Sequence, residues 1–579
     1  MRASLCAALL ATTSLAQVCE PRRASVDAAG AQADRGSTTP CFSADGRHLA
    51  YASSAANLVP GDGNGCDDIL VVELATGHVE RASLADGGGE ANGASNGPSL
   101  SADGRLACFS SFATNLVAGD ANGQVDVFVR DRAAGTTTLA SRGLSGGSAQ
   151  GSSFAARIAP DGRRVAFLSW AADLVPGDAN GTRDLYVHEL ATGATARVQA
   201  PGLEPDGPSG GNFGPRWSED GRFLAFASEA TNLVPGDLNG RLDVYVLDLV
   251  AGTIDLVSRQ ANLQQHREDS DLADFALDGR TLLVLSAAKS WTNGDSNDAL
   301  DLHAVDRATL ASSCVSLGWE GRTVTGGAWV GSLSRDARFA AFVSDSEELV
   351  PGDVNGQRDV FLVDRLAGGI ERVNVSPVTG PSTGGVNFPA MHPDGDVVAC
   401  VTGATDLAPG DTNDAWDVYL LGCKAGVLAC HGASAACPCA NHGADGAGCA
   451  SSTGFGVRLV AQGRAALSGD TLSLSVAGLP PESTVQLHCG QSIAGGGTPF
   501  GDGVRCFGAP YSASAPRRAS GGVARFGFGV AGDLPLSQLG QVQYSPESRH
   551  YQVRYRDPAA FCSPAYFNFS AALRVEWAP

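Results

Sequence analysis

No stretch of this 579-residue chain keeps an apolar stripe at helical spacing for ten residues, and nothing after the first positions approaches 18 uninterrupted apolar residues. The first absence argues against a helical or α/β architecture, the second against a membrane-spanning helix. Basic charge is also short. Forty Lys and Arg stand against 61 Asp and Glu, a formal charge of −21 with a pI near 4.8. Such a surface repels nucleic acid and anionic lipid and favours cations or basic partners. Histidines number only ten, and none recurs at a fixed position. No nucleophile, base and orienting group assemble from the sequence, and the long α/β segment of a fused serine hydrolase is missing.

What the chain has instead is repetition. Gly-Asp followed by x-Asn-(Gly/Asp)-x-x-Asp recurs with its first aspartate at Asp62, Asp120, Asp178, Asp237, Asp295, Asp353 and Asp411, in steps of 58 or 59 residues. Seventeen residues before each lies a second aspartate, in a Ser-x-Asp-Gly-Arg-like turn: Asp45, Asp103, Asp161, Asp220, Asp278, Asp336 and Asp394. A fixed period of this size marks an array of one supersecondary unit. Within a unit, short β-branched and aromatic runs alternate with Gly, Asp, Asn and Pro clusters, the pattern of strands between turns. In the first copy, strand a precedes Asp45, strand b is expected at 47–53, strand c at 68–74 and strand d at 79–84. Four antiparallel strands per unit, arranged radially, make an all-β propeller of seven blades. The a–b and c–d connections are tight, the b–c and d–a connections long, so both long loops of each blade emerge on one face, the expected ligand surface.

The last unit has no strand d of its own. Arg23-Ala24-Ser25-Val26 sits one period before Arg81-Ala82-Ser83-Leu84, so residues 20–26 are expected to supply the outer strand of the seventh blade and close the ring. Closure removes an edge that would otherwise template aggregation.

Residues 1–16, with one arginine, a short apolar run and small residues Ser14 and Ala16, read as a secretory signal. The propeller is expected over 17–422, a Cys-rich linker over 423–452 and a β-sandwich over 453–579. With Cys6 removed, 14 cysteines remain, eight of them from Cys423 onward. An exported setting favours disulfides over zinc for the linker, and Cys489 and Cys506 flank a loop they could staple.

The run Asn-Leu-Val-Pro-Gly-Asp-x-Asn-Gly-x-x-Asp-Val-(Phe/Tyr)-Val, with Ser-x-Asp-Gly-Arg, resembles the TolB-like propeller repeat of exported bacterial proteins, related to WD-type repeats, over 21–422. The resemblance implies a periplasmic, secreted or cell-surface propeller used as an interaction scaffold, usually without catalysis. TolB itself has six blades and a separate amino-terminal domain, so a role in the Tol envelope machinery is not carried over. The Cys-Pro-Cys-Ala-Asn to Ala-Leu-Arg-Val-Glu-Trp segment resembles a terminal module of planctomycete secreted proteins, which implies a secreted appendage.

Two readings of the repeated loop stay open. Its hard oxygens suit calcium, which takes six to eight; the same residues build Asx turns. The candidate ligands are Asp62, Asn64 and Asp68; Asp120, Asn122 and Asp126; Asp178, Asn180 and Asp184; Asp237, Asn239 and Asp243; Asp295, Asn297, Asp298 and Asp301; Asp353, Asn355 and Asp359; and Asp411, Asn413, Asp414 and Asp417. Asp298 and Asp414 replace the glycine and would add an oxygen, which makes those two loops the preferred ones. The fifth unit departs most from the pattern, with Trp291 in its b–c loop and Trp319 and Trp329 in the d–a loop that follows, candidates for partner binding. His303 stands where other units carry Phe or Tyr and is expected to be packed in the core. The functional expectation is a secreted, monomeric, non-enzymatic scaffold that binds a protein or glycan. The alternative is an extracellular carbohydrate- or peptide-acting hydrolase or lyase using carboxylates on the loop face.

Overall fold

Residues 21–422, apart from 261, 292–296, 319–320, 351–352, 367–368, 377–379, 396 and 409, are described by a computed structural model, together with 427–430 and stretches of 457–577. The signal segment 1–16 and most of the linker lie outside the described residues.

The alternating runs fold into repeated four-stranded antiparallel sheets, seven among the described residues. The first consists of Ser37–Phe42, His48–Ser53, Asp68–Glu73 and His78–Arg81, within a few residues of the positions read from sequence. Strands b and c are buried along almost their whole length, because each sheet is covered on both faces by its neighbours. The hydrophobic clusters show this sheet by sheet. Ala50, Ile69 and Val71 pack on Leu100, Phe109 and Phe128 of the second sheet, while Leu49, Tyr51 and Leu70 pack on Val401, Val418 and Leu420 of the last. The last sheet orders Arg22–Arg23, Asp417–Leu421, Val398–Thr402 and Val386–Met391, so the chain's first strand is its outer edge. The repeated sheets form a propeller.

The Ser-x-Asp-Gly-Arg turn owes its shape to its own side chains. Ser43 Oγ donates to Asp45 Oδ1 at 2.6 Å, the Arg47 amide donates to the same oxygen at 2.9 Å, and Gly46 takes φ +73°. Ala337, in the one copy without glycine, is forced to φ +55°, a region where a Cβ costs about 1 kcal/mol or more.

Beyond 422, two sheets enclose one core. Leu459, Leu474, Val476 and Phe526 come from a three-stranded sheet, and Val485, Leu487, Tyr551, Val553 and Tyr555 from a larger one. Its disulfide-rich character is not found among the described residues: Cys41, Cys66, Cys108, Cys314, Cys400 and Cys489 are free thiols. Cys489 is buried in the sandwich core, so the expected Cys489 staple is corrected. Among the described residues no helix is long and apolar enough to cross a membrane.

Candidate functional site

Six of the seven inner strands carry a β-bulge against strand b, for example between Thr38 and Cys41 and between Phe154 and Arg157. The extra residue turns to positive φ at Thr39 (+50°), Ala155 (+53°) and Phe388 (+51°), three non-glycine residues in a sparsely populated region. A bulge re-aims the side chains after it. Here those side chains line an axial cavity of about 370 Å³, within the range of small-ligand sites. The lining runs from the bulges to the a–b turns, the half of each inner strand away from the aspartate loops.

The cavity wall is apolar at Phe42, Phe213, Trp217, Phe275, Phe388 and Met391. Its charge is basic, against the sign of the whole chain: Arg157, Arg216 and Arg335 face it with one carboxylate, Asp274. Arg216 is spent, with Nε on Asp274 at 3.2 Å and Nη1 on the Phe213 carbonyl at 2.7 Å. Asp274 also accepts the Leu333 amide at 2.8 Å. Arg335 pairs with Glu219 and reaches the Ala44 carbonyl. Arg157 donates to the Ala156 carbonyl at 3.0 Å, and among the described residues no carboxylate lies within ion-pair distance. Burial, and then the neighbouring Arg216 charge, hold its guanidinium below the usual arginine range. Arg157, Arg216 and Asp274 hold one strand a register in three successive repeats, where the first and second carry Cys41 and Ser99, so the position recurs but its charge does not.

The aspartate loops are built differently from a metal cage. In each described copy the asparagine closes an Asx turn: Asn64 Oδ1 accepts the Cys66 amide at 2.8 Å, and its Nδ2 donates to Asp68 at 3.0 Å and to the Ala91 carbonyl at 3.1 Å. Asn122, Asn180, Asn239, Asn297, Asn355 and Asn413 each spend Oδ1 on the amide two residues on and Nδ2 on a carbonyl beyond strand d. The amide oxygens are therefore committed to the backbone, and the carboxylates remain as donors.

Among the described residues two sets of carboxylates converge closely enough to hold a metal ion, Asp62 with Asp68 and Glu90, and Asp178 with Asp184 and Glu204. Both already surround a cation. Arg81 Nη1 lies 3.5, 3.0 and 2.7 Å from Asp62, Asp68 and Glu90, and Arg197 Nη1 lies 3.1, 3.2 and 2.8 Å from Asp178, Asp184 and Glu204. Arg372 does the same for Asp353 and Asp359, and Arg23 for Asp411 and Asp417. The sequence carried this signal in the strand d arginines, which recur in register with the loops.

The added carboxylates of the two preferred loops stand apart from these clusters. Asp298 is exposed and pairs with Lys289 at 2.8 Å, and Asp414 sits on an exposed turn at φ +52°. Asp295 and Trp319 lie outside the described residues. Trp329 is partly exposed under the Arg358 guanidinium.

Trp291 is buried, not offered to a partner. It stacks between His266 and His303, with ring centroids 4.2 and 5.2 Å away. His303 is fully buried, and desolvation pushes it down to about 3, with His266 pushed down to about 4. A base whose folded pKa is depressed loses stability as pH falls below its unfolded value near 6.5. Between pH 7.5 and 5 the unfolded state takes up a proton that folded His303 refuses. The expected result is that wild type loses about 2 kcal/mol more than His303→Phe over that interval, read by urea unfolding at the two pH values.

Two Gly-x-Ser-x-Gly strings, at 93–97 and 143–147, make no nucleophile elbow. Ser95 is buried at the start of an inner strand and bonds Ser111 Oγ at 2.9 Å, and Ser145 lies on an exposed turn.

Comparison with protein-family profiles and with curated proteins returns no match. Solved structures similar to this chain include an oligogalacturonate lyase in complex with manganese, at 15% identity over 70% of this chain and 93% of that one, TM-score 0.44. A putative TolB from Agrobacterium tumefaciens matches at 16% identity over 48% and 80%, TM-score 0.31, and an acylaminoacyl peptidase at 12% over 67% and 51%, TM-score 0.40. Enzymes thus stand among the neighbours beside TolB, which corrects the expectation of a chain without catalysis: the fold does not exclude turnover.

Proposed function

We propose that this chain is an exported propeller, its seven sheets closed into one ring, whose axial cavity binds a carboxylate-bearing ligand, a sugar acid or the acidic end of a peptide, on Arg157. The observation that carries the reading is that guanidinium, which faces a half-apolar cavity with a single backbone carbonyl as its partner. A carboxylate there gains a fork-shaped, charge-assisted pair, and Arg216, already bound to Asp274, adds field without competing for it. The aromatic wall suits the apolar face of a sugar ring or side chain. Export is supported by the leader-like residues 1–16.

The test is calorimetry with oligouronates and acidic peptides against Arg157→Met. Removal of a charged hydrogen-bond partner is worth about 1.5–3 kcal/mol, so the variant should bind at least tenfold more weakly, while Arg105→Met on the exterior is unchanged. Equal binding by Arg157→Met sinks the reading. Product analysis of the same mixtures separates binding alone from binding with turnover.

A further inference from the structure

In the six sheets whose two loop acids are both described, the strand d residue opposite the third residue of strand c sorts them by charge. Arg81, Arg197, Arg372 and Arg23 occupy the position opposite the third residue of strand c, and each meets the two loop carboxylates. In the second sheet, made of Ser95–Leu100, Leu106–Ser111, Asp126–Asp131 and Thr136–Leu139, that register holds Leu139 opposite Phe128. A further compensating group is missing there and another is smaller. Phe128 stands where Tyr186, Tyr245 and Tyr419 donate a hydroxyl to Asp178, Asp237 and Asp411. Ser148, 58 residues after Glu90, gives Asp120 a hydroxyl hydrogen bond where Gln265 in the fourth sheet gives Asp237 an amide Nε2 at 2.8 Å, and it brings no charge.

The two acids remain. Asp126 is fully buried, with Oδ1 taking Ser141 at 2.6 Å and Oδ2 taking Asn122 at 2.7 Å. Asp120 is 7% exposed, and its Oδ1 is buried without a hydrogen-bond partner. Burial raises both carboxyls, Asp126 to about 6, and no cationic side chain within reach lowers them. A buried carboxylate oxygen without a partner is costly, and the neighbouring repeats show what it lacks: a positive charge at one point between the two acids.

We propose that the second sheet binds a hard divalent cation of the calcium class between Asp120 and Asp126, in the place a guanidinium nitrogen takes in the first, third, sixth and seventh sheets. Two carboxylates and the Ser148 hydroxyl supply hard oxygens, and water completes the shell. This site is independent of the axial cavity, and a failure of either leaves the other standing.

The experiment is thermal unfolding of the full chain, stripped with chelator and then given calcium chloride in a buffer of fixed ionic strength. Wild type should melt several degrees higher with calcium. Asp120→Asn and Leu139→Arg should lose that shift, and both should melt above wild type in chelator because each removes the unbalanced charge. Asp120→Asn keeps the test sharp if Leu139→Arg does not fold. No shift in wild type, an equal shift in Asp120→Asn, or full recovery with sodium chloride alone overturns the proposal.

Discussion

Arg197→Leu should cost about 3–5 kcal/mol of folding free energy, the usual effect of removing one partner of a buried ion pair. Leucine is the residue that the second and fourth sheets carry in this register, as Leu139 and Leu256, so the change does not conflict with the local backbone. What it conflicts with is charge. Asp178 and Asp184 are almost wholly buried, and Glu204 closes the cluster from the next loop. Desolvation already lifts Asp184 to about 6 with the arginine present. Without it, the raised folded pKa makes the fold prefer protonated acid, so the loss should be largest above pH 7 and shrink as pH falls toward 4. Asp178→Asn added to Arg197→Leu should recover part of the loss. Arg105→Ala, whose exposed side chain bonds Asp131 at 2.7 Å, should change stability far less, because water screens the pair. Urea unfolding followed by tryptophan fluorescence reads all three against wild type, and equal costs for Arg197→Leu and Arg105→Ala would refute the buried-charge account.

That contrast also marks what the sequence could convey. The period, the turn at Asp45-Gly46 and the exchange of Arg22–Arg23 into the last sheet were legible because each depends on residues close in the chain or one repeat apart. The Asx-turn reading of Asn64 was legible for the same reason, since its partner is the amide two residues on. The axial cavity was not. Arg157, Arg216 and Asp274 share one register in three successive repeats, but the residue type changes from repeat to repeat, and only the packing of the sheets shows that this register faces a common cavity. Trp291 misled because a tryptophan in a loop reads as exposed, whereas two histidines from neighbouring strands and loops stack on its faces. The charge reading failed locally for a related reason: a total of −21 says nothing of where three arginines converge.

Deleting residues 21–26 should be the most damaging small change to the propeller. Arg23 brings the only guanidinium that meets both Asp411 and Asp417 among the described residues, at 3.0 and 3.3 Å, and its Nη2 also donates to the Tyr419 hydroxyl. Ser25 Oγ donates to Asp417 at 2.6 Å and accepts the Val418 amide at 3.2 Å, and the Ala24 amide bonds the Val418 carbonyl at 2.7 Å. Losing the buried pair alone costs about 3–5 kcal/mol, and each lost hydrogen bond about 1 more. Those costs fall on one sheet, but Ala24 also packs in the cluster shared with Leu49, Tyr51 and Leu70, so the first sheet loses its cover at the same time. Asp417–Leu421 would then become an open, apolar edge carrying the buried acid Asp417. The expected result is a melting temperature lower by more than ten degrees and concentration-dependent association in light scattering, both reversed when a synthetic peptide of residues 20–27 is added. A deletion variant that stays monomeric and melts with wild type would mean that the ring does not depend on its first strand.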